Sequence, residues 1–260
     1  MKHIVLNVFY RRKILSTKLT HDDDLQLLLN SLHPVFCGKE LIRLGPDGDG
    51  GYLVPDDLEG IKACFSPGVD RVSGFESDCA NMGMKVFLAD KSVEKPPESH
   101  DLFQFSKKYI GVTTNDDFMT LDDWVKSSLP ESQDDLMLQI DIEGSEYEVF
   151  LGASDQLLKR FRIIVAEFHH LDQLWNKPFY RLASRAFEKL LQTHTCVHNH
   201  PNNCSDSIKI DDIEIPLVTE FTFIRNDRIK NASYVDKFPH PLDCDNTQNP
   251  PLYLPKCWYK

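Results

Sequence analysis

The clearest pattern in the chain is Leu136-Met137-Leu138-Gln139-Ile140-Asp141-Ile142-Glu143-Gly144-Ser145-Glu146, an apolar run that ends abruptly at acidic residues. Such a short apolar run before a glycine turn is typical of a strand buried within a sheet. Side chains alternate along a strand, so we expect Asp141 and Glu143 on the same side. Gly144 then permits a tight turn, and Ser145 can cap the helix that follows.

Six further apolar runs have the length of buried strands. They span residues 61–69, 85–90, 103–111, 162–170, 195–200 and 220–225. Helix-like segments at 75–82, 121–126, 146–159 and 173–191 lie between several of these runs. Strands that alternate with helices predict a parallel sheet, and the non-helical connection over 201–219 predicts an antiparallel last strand. We therefore expect an α/β fold with an open, doubly wound, mostly parallel seven-stranded sheet whose last strand is antiparallel.

The domain organisation follows from length and composition. The chain has 260 residues, of which 41% are hydrophobic and 27% charged, an ordinary balance for one globular domain. A helix-like segment at 25–32 and a loop rich in glycine and aspartate at 45–52 precede the first strand. We expect an N-terminal extension, residues 1–58, packed on a core domain, residues 59–260, that includes a C-terminal tail.

Charge and hydropathy exclude several classes of partner. The 40 acidic residues outnumber the 29 basic ones, which gives a net charge of −11 and repels a phosphate backbone. No apolar run reaches the roughly 18 residues that a membrane span needs. The seven cysteines are scattered and form no Cys-x-x-Cys pair, so neither a disulfide scaffold nor a zinc knuckle is indicated. We expect a cytoplasmic protein that binds neither nucleic acid nor membranes.

Chemistry is expected at the strand ends, because ligands of open parallel sheets bind beyond the carboxyl ends of the strands. The first strand ends in Ser66-Pro67-Gly68-Val69-Asp70, where glycine lets the backbone approach a ligand, although an ordinary turn is the alternative. The second ends at Asp90, which can accept hydrogen bonds from both hydroxyls of a ribose or simply be solvated. The fifth ends in Glu167-Phe168-His169, with Glu167 and His169 on one face by alternation.

Several blocks of the sequence, in the same order over most of the chain, resemble the FkbM-type methyltransferases, many of which methylate hydroxyls of sugars and other natural products. The blocks are Gly48-Asp49-Gly50-Gly51-Tyr52, Asp141-Ile142-Glu143-Gly144-Ser145-Glu146, Ala166-Glu167-Phe168-His169, His198-Asn199-His200-Pro201-Asn202-Asn203, Ile215-Pro216, Glu220-Phe221-Thr222-Phe223 and Pro239-His240-Pro241-Leu242-Asp243. The resemblance implies a Rossmann-like class I methyltransferase sheet, S-adenosylmethionine as cofactor and methyl transfer to an oxygen.

The resemblance also implies a cofactor site. The residues assigned to it are Ser66, Gly68, Asp70, Glu76, Asp90 and Asp141. The loop 66–70 approaches the methionine part of the cofactor, Asp90 holds its ribose, and Asp141 faces the transferred methyl group. The loop departs from the usual class I pattern because it offers one glycine where several are common.

Methylation of a sugar hydroxyl needs a base within hydrogen-bond reach of that hydroxyl. The candidate catalytic residues are Asp141, Glu143, His169 and His198. Histidine has the better intrinsic pKa, whereas aspartate serves if a cation lowers the hydroxyl pKa or burial raises its own. Glu146 is interpreted as an acid that complements the dipole of the helix it begins.

The pair His198 and His200 points to one face if the segment is a strand, and with Asp141 or Glu167 it could hold a metal ion. Because no spacing fixes a third ligand, we interpret the pair as hydrogen-bonded histidines lining a polar pocket and assign no metal site. A divalent metal stays an unassigned option. Separately, Thr120 is predicted to cap the helix that follows it.

Two other functions use the same residues. One is a metal-dependent hydrolase, with Asp141, Glu143, Glu167, His169, His198 and His200 as its site. The other is a non-catalytic nucleotide-binding module that keeps the sheet without turnover. The function we expect is an S-adenosylmethionine-dependent O-methyltransferase that acts on a hydroxyl of a sugar, glycan or small natural product.

Overall fold

The computed structural model describes residues 17–69, 71–130 and 133–260, so Asp70 and residues 1–16 of the predicted extension lie outside it. The strands are β1 (Val35–Phe36), β2 (Leu41–Leu44), β3 (Tyr52–Pro55), β4 (Ala63–Pro67), β5 (Lys85–Ala89), β6 (Phe103–Ser106), β7 (Tyr109–Gly111), β8 (Phe118–Thr120), β9 (Leu136–Ile140), β10 (Phe161–Phe168), β11 (His194–Pro201), β12 (Ser207–Ile210), β13 (Ile213–Pro216), β14 (Thr219–Arg225) and β15 (Ser233–Tyr234). The helices are α1 (Asp22–Ser31), α2 (Gly74–Asn81), α3 (Leu121–Ser128), α4 (Glu146–Gly152), α5 (Asp155–Leu158) and α6 (Lys177–Leu191).

One seven-stranded sheet organises the molecule, in the order β11-β14-β10-β9-β4-β5-β6. The pairs β10-β9, β9-β4, β4-β5 and β5-β6 are parallel, whereas β14 runs antiparallel to both β10 and β11. Every residue of β9 and of β10 is buried, as expected for central strands covered on both faces. The sheet predicted from the sequence, including its antiparallel last strand, is confirmed.

Each face of the sheet packs against a separate hydrophobic core. Along β9, Leu136, Leu138 and Ile140 belong to one core, and Met137 belongs to the other. The first core contains side chains of α1, α3, α4, α5 and α6. The second contains side chains of α2 and of the β2-β3 hairpin. This two-sided packing is the doubly wound arrangement, and it leaves one edge of the sheet, at the strand ends, free for a site.

The predicted strand 103–111 is wrong as one element, because the chain turns in its middle. β6 joins the main sheet beside β5, but β7 pairs with β8 in a separate two-stranded sheet. The break lies at the two lysines of the run, where the amide of Lys108 donates to the carbonyl of Ser106 at 2.8 Å. Such a tight turn directs the chain away from the sheet.

Two predicted helices are also divided. The segment 146–159 forms α4 and α5, because Ser154 adopts an extended conformation and its hydroxyl accepts the amide of Leu157 at 3.1 Å, which starts a new helix. The segment 173–191 consists of a 3-10 turn, Leu171–Trp175, followed by α6. Pro178 lies in the first turn of α6, where a missing amide proton costs nothing.

The C-terminal tail and the predicted non-helical connection pack against the first core, on one face of the sheet. Residues 201–219 contain the antiparallel hairpin β12-β13 and no helix. In the tail, Trp258 is fully buried and its ring lies 5.9 Å from that of Phe221 in β14. The division into an extension, 1–58, and a core, 59–260, stays a prediction.

Among the described residues, no helix has the length and hydropathy that crossing a membrane requires. A cytoplasmic location and the absence of nucleic acid partners stay predictions.

Candidate functional site

A cavity of about 800 Å³ opens at the carboxyl ends of β4, β5, β9 and β10. Parallel strands end at the same edge of a sheet, so the residues that follow them meet there. The lining residues are Asp49, Gly68, Val69, Ala89, Asp90, Ser92, Tyr109, Ile110, Phe118, Asp141, Ile142, Glu143, Ser145, Glu167, His169, Asn202, Cys204, Val218 and Thr247. Five of the residues that the sequence assigned to catalysis or cofactor binding therefore share one cavity: Gly68, Asp90, Asp141, Glu143 and His169.

Gly68 is required by a close approach of two strand ends. Its φ is +92°, and a Cβ at this position would lie 1.6 Å from the carbonyl oxygen of Asp141. The amide of Gly68 donates to the carbonyl of Ala89 at 3.1 Å. The amide of Asp141 donates to the carbonyl of Pro67 at 3.3 Å. A side chain would push β4 and β9 apart, so this glycine does more than terminate a strand.

Asp90 holds the cavity loops together through its carboxylate. Oδ2 accepts the amide of Val69 at 3.0 Å, and Oδ1 accepts the amide of Ser92 at 2.6 Å. A carboxylate oxygen can accept more than one hydrogen bond, so Asp90 keeps acceptor capacity toward the cavity it lines. Its assignment as the ribose ligand stays a prediction.

Ser66 and Glu76 do not line the cavity and are buried together between the sheet and α2. The Ser66 hydroxyl lies 2.5 Å from Glu76 Oε1 and 2.6 Å from Gln139 Oε1. Burial raises the pKa of Glu76, although its hydrogen bond with Ser66 opposes the rise. The structure thus separates these two predicted cofactor residues from the cavity wall and shows them bonded to each other.

The turn after β9 differs from the extended strand that alternation assumed. β9 ends at Ile140, and both Glu143, with φ +57°, and Gly144, with φ +101°, adopt left-handed conformations. As a result the side chain of Asp141 is 29% exposed and that of Glu143 is 88% exposed. Asp141 and Glu143 both reach the cavity, but through a turn and not through the side-chain alternation of a strand.

Glu146 is a site residue that sequence reasoning missed, because it was assigned to the helix dipole alone. It is fully buried, and its Oε1 accepts the amides of Ile142 at 3.0 Å and Gly144 at 3.1 Å. Ser145 occupies the N-cap position of α4 but makes no side-chain capping bond, so that prediction is wrong. The carboxylate of Glu146 satisfies the turn amides instead.

His169 is surrounded by carboxylates. Its Nδ1 lies 3.2 Å from Glu146 Oε1, and its Nε2 lies 3.4 Å from Glu167 Oε1, 3.6 Å from Glu143 Oε2 and 3.8 Å from Asp141 Oδ1. Burial alone would lower the pKa of His169, but the hydrogen bond with Glu146 and the surrounding negative charges raise it. The proximity of Glu167 and His169 that alternation predicted is confirmed.

Acidic residues also continue from β10 onto the neighbouring strand β14, where Glu220 is the direct cross-strand partner of Glu167. Burial raises the pKa of Glu220 to about 7, although the nearby His200 opposes the rise. Burial, with the charges of Asp141 and Glu220, raises the pKa of Glu167 well above its usual value. Burial also raises the pKa of Asp141 to about 7, against the effect of His169. Such values reflect several carboxylates that share one poorly solvated wall.

His198 and His200 form a separate cluster with the C-terminal tail. His198 Nε2 lies 2.8 Å and His200 Nδ1 3.7 Å from Asp243 Oδ1. Burial alone would raise the pKa of Asp243, but its contacts with these two histidines hold it far below its usual range. His198 is absent from the lining of the 800 Å³ cavity, so the structure does not bring this predicted base to Asp141. The hydrogen bond of His198 agrees with the interpretation of the pair, whereas the His200 contact at 3.7 Å is too long for a hydrogen bond, and a polar pocket lined by both histidines stays a prediction.

Three further lining residues come from distant parts of the chain. Asp49 lies in the loop between β2 and β3, Asn202 follows β11, and Thr247 lies in the tail. The Asn202 amide donates to the Glu167 carboxylate, at 3.4 Å from Oε1 and 3.3 Å from Oε2. The sequence marked the blocks that contain Asp49 and Asn202, but Thr247 carried no signal.

Comparison with known proteins gives one family. The model of the methyltransferase FkbM domain matches residues 54–197, more than half of the chain. The matched segment contains Gly68, Asp90, Asp141, Glu167 and His169, whereas Glu220 and Asp243 follow it. A search of curated proteins finds no match.

Proposed function

Because the chain belongs to the FkbM methyltransferase family, we propose that this methyltransferase transfers its methyl group to a hydroxyl oxygen of a sugar, glycan or small natural product. The observation that carries the proposal is the meeting of Gly68, Asp90, Asp141 and His169 in one cavity at the strand ends. A cavity of about 800 Å³ lies within the usual size range of small-molecule sites, about 300–1,000 Å³.

The family implies S-adenosylmethionine as the methyl donor, and the residues of the cavity fit it. When bound, this cofactor would supply a methyl group that the positive charge on its sulfur activates for transfer. Asp90 would hold the ribose hydroxyls, and the backbone at Gly68 would border the methionine part. The buried Asp141 Oδ1, which has no hydrogen-bond partner among the described residues, supports a positively charged ligand at this wall.

The chain's own work is to place the acceptor, exclude water and remove its hydroxyl proton. The carboxylates of Asp141 and Glu143 and the imidazole of His169 are the groups within the cavity that can accept that proton. His198 is a weaker candidate because it lies outside the cavity lining. Family membership favours methyl transfer over the hydrolase and over a non-catalytic nucleotide-binding module.

The proposal is tested by calorimetric titration with S-adenosylhomocysteine, the demethylated cofactor. We expect wild-type protein to bind it and Asp90→Asn to bind it at least about tenfold more weakly, because hydrogen bonds to a charged acceptor contribute about 1.5–3 kcal/mol. Asp212→Asn, which removes an exposed acid in the β12-β13 turn, is the matched control and should bind like wild type. Absence of binding to wild type would contradict the proposed function, and equal affinities would remove Asp90 from the site.

The acceptor class is tested by mass spectrometry of reaction mixtures. With S-adenosylmethionine and a panel of sugars and small polyols, we expect methyl ethers among the products. Methylation confined to amine or carboxyl acceptors would contradict transfer to a hydroxyl.

A further inference from the structure

Three side chains of metal-binding type converge on the cavity wall. Asp141, Glu167 and His169 each offer one ligand atom, and these atoms all lie within 4.8 Å of one another. His169 Nε2 is 3.4 Å from Glu167 Oε1 and 3.8 Å from Asp141 Oδ1. Two ligands about 2.1 Å from a shared ion lie about 3.0–3.4 Å apart at right or tetrahedral angles. Small side-chain movements would therefore close the three atoms around one cation.

The carboxylates of Asp141 and Glu167 receive few hydrogen bonds from the residues that the structure describes. Asp141 Oδ1 is buried and accepts no hydrogen bond from any residue that the structure describes. The side chain of Glu167 is 6% exposed, and the Asn202 amide reaches its two oxygens at 3.4 and 3.3 Å, long for a hydrogen bond to a carboxylate. Burying carboxylate oxygens without strong donors is costly, so these oxygens point to a cationic ligand.

His169 is oriented in the way that metal-binding histidines are. Its Nδ1 contacts Glu146 Oε1 at 3.2 Å, and that oxygen is fixed by the amides of Ile142 and Gly144. A carboxylate contact at one ring nitrogen fixes the tautomer and leaves the other nitrogen free as a ligand. Here the other nitrogen is Nε2, which faces Glu167, Glu143 and Asp141, and of these three acids Glu143 has the exposed side chain.

We propose that Asp141, Glu167 and His169 bind a divalent cation that accepts both imidazole and carboxylate ligands, such as Mn²⁺ or Zn²⁺. The binding site stands on the geometry alone, whereas its role in the reaction rests on the proposed hydroxyl methylation. A cation at this position lowers the pKa of an acceptor hydroxyl beside it. The O–H bond then breaks, the exposed Glu143 accepts the proton, and the oxygen's electron pair bonds to the methyl carbon as the sulfur–methyl bond breaks.

Titration of the metal-free full chain with Mn²⁺, followed by the EPR signal of the free ion, tests the site. We expect wild type to bind one ion per chain and both Asp141→Asn and Glu167→Gln to bind it at least about tenfold more weakly. Asp212→Asn removes an exposed acid far along the chain and should keep the wild-type affinity. Binding of S-adenosylhomocysteine by Glu167→Gln, at a residue not assigned to the cofactor, reports whether the cavity is intact.

The outcomes separate the cation site from the proposed function. Loss of Mn²⁺ binding in a variant that still binds S-adenosylhomocysteine supports the site. The cation site is overturned if wild type does not bind Mn²⁺, or if Asp141→Asn and Glu167→Gln both bind it as tightly as wild type does. In that case the affinity of wild type for S-adenosylhomocysteine still decides the proposed function. Wild type that binds Mn²⁺ but no S-adenosylhomocysteine overturns the proposed function and leaves the cation site standing.

Discussion

Asp141 is the residue whose replacement separates cofactor binding from methyl transfer. Asp141→Asn keeps the size of the side chain and the backbone contact with Pro67, so we expect S-adenosylhomocysteine affinity within about threefold of wild type. It removes the charge beside His169 and a proposed cation ligand, so methyl transfer should fall by at least about 100-fold. Single-turnover kinetics on any acceptor found by the panel would measure this. Turnover near the wild-type rate would contradict the role of Asp141.

Buried His194 gives the fold a dependence on pH that is independent of the cavity. Its Nε2 lies 2.8 Å from the carbonyl of Phe161, and burial lowers the pKa of His194 from 6.5 to about 4. Between these values the unfolded chain binds a proton that the folded chain does not. Stability from this residue is therefore complete above pH 6.5 and is lost as pH falls toward 4.

The corresponding prediction concerns urea unfolding at pH 7.5 and pH 5. We expect the drop in unfolding free energy between these conditions to be about 2 kcal/mol smaller in His194→Gln than in wild type, because glutamine does not titrate. The comparison between proteins removes the contributions of all other groups. Equal drops in both proteins would show that His194 has a similar pKa in both states.

At the scale of elements, helix starts show which local signals are sufficient. Thr120 caps α3 as predicted, with its hydroxyl accepting the amide of Asp123 at 3.1 Å. Ser145 has the same type of side chain before α4, yet Glu146 takes over the bonding of the turn amides. The difference arises because Glu146, directly after Ser145, supplies a carboxylate to the turn amides, whereas at the start of α3 the capping residue itself makes the bond.

Thr120→Ala tests this local signal. Loss of the capping bond leaves the amide of Asp123 without its partner, so we expect the unfolding free energy to fall by about 1 kcal/mol. Ser127→Ala deletes a hydroxyl near the other end of the same helix and should change stability by less than about 0.5 kcal/mol. Urea denaturation measures the unfolding free energy of both variants. Equal losses in the two would show that the Thr120 cap does not stabilise the helix.

At the scale of the whole molecule, the C-terminal tail belongs to the core. Trp258 is fully buried, and its Nε1 donates to the carbonyl of Glu214 at 3.0 Å. Elsewhere in the tail, Asp243 contacts His198, and the Asn246 amide donates to Glu220 Oε1 at 2.6 Å. The tail therefore supports β14 and the cavity wall beyond the segment that the family model matches.

Replacing two aromatic residues of the tail, one buried and one exposed, distinguishes a docked tail from a loose one. Trp258→Ala should lower the unfolding free energy by about 3–5 kcal/mol, because it leaves a large cavity and removes the hydrogen bond to the carbonyl of Glu214. Tyr253→Ala, at a side chain that is 66% exposed, should change it by less than about 0.5 kcal/mol. Chemical denaturation measures both, and a small effect of Trp258→Ala would mean that the tail contributes little to the core.

The sequence by itself determined the sheet and the edge at which chemistry occurs. Apolar runs of strand length alternating with amphipathic segments specify a parallel sheet, and such a sheet forces the residues after its strands to one edge. Asp90, Asp141 and His169 meet in the cavity for this reason. These signals are local in sequence, so they can be recognised without knowing any long-range contact.

The tertiary structure alone decided which polar groups complete the site. Glu220 faces Glu167 because two strands more than fifty residues apart pair in register, and Asp243 reaches His198 because the tail folds back. The Glu146 carboxylate lies beside the ring of His169 because β9 and β10 are neighbours in the sheet. The periodicity of apolar residues along the sequence shows which face of a helix or strand is buried. Contacts between distant segments, and the pKa values that those contacts set, arise only when the chain is folded.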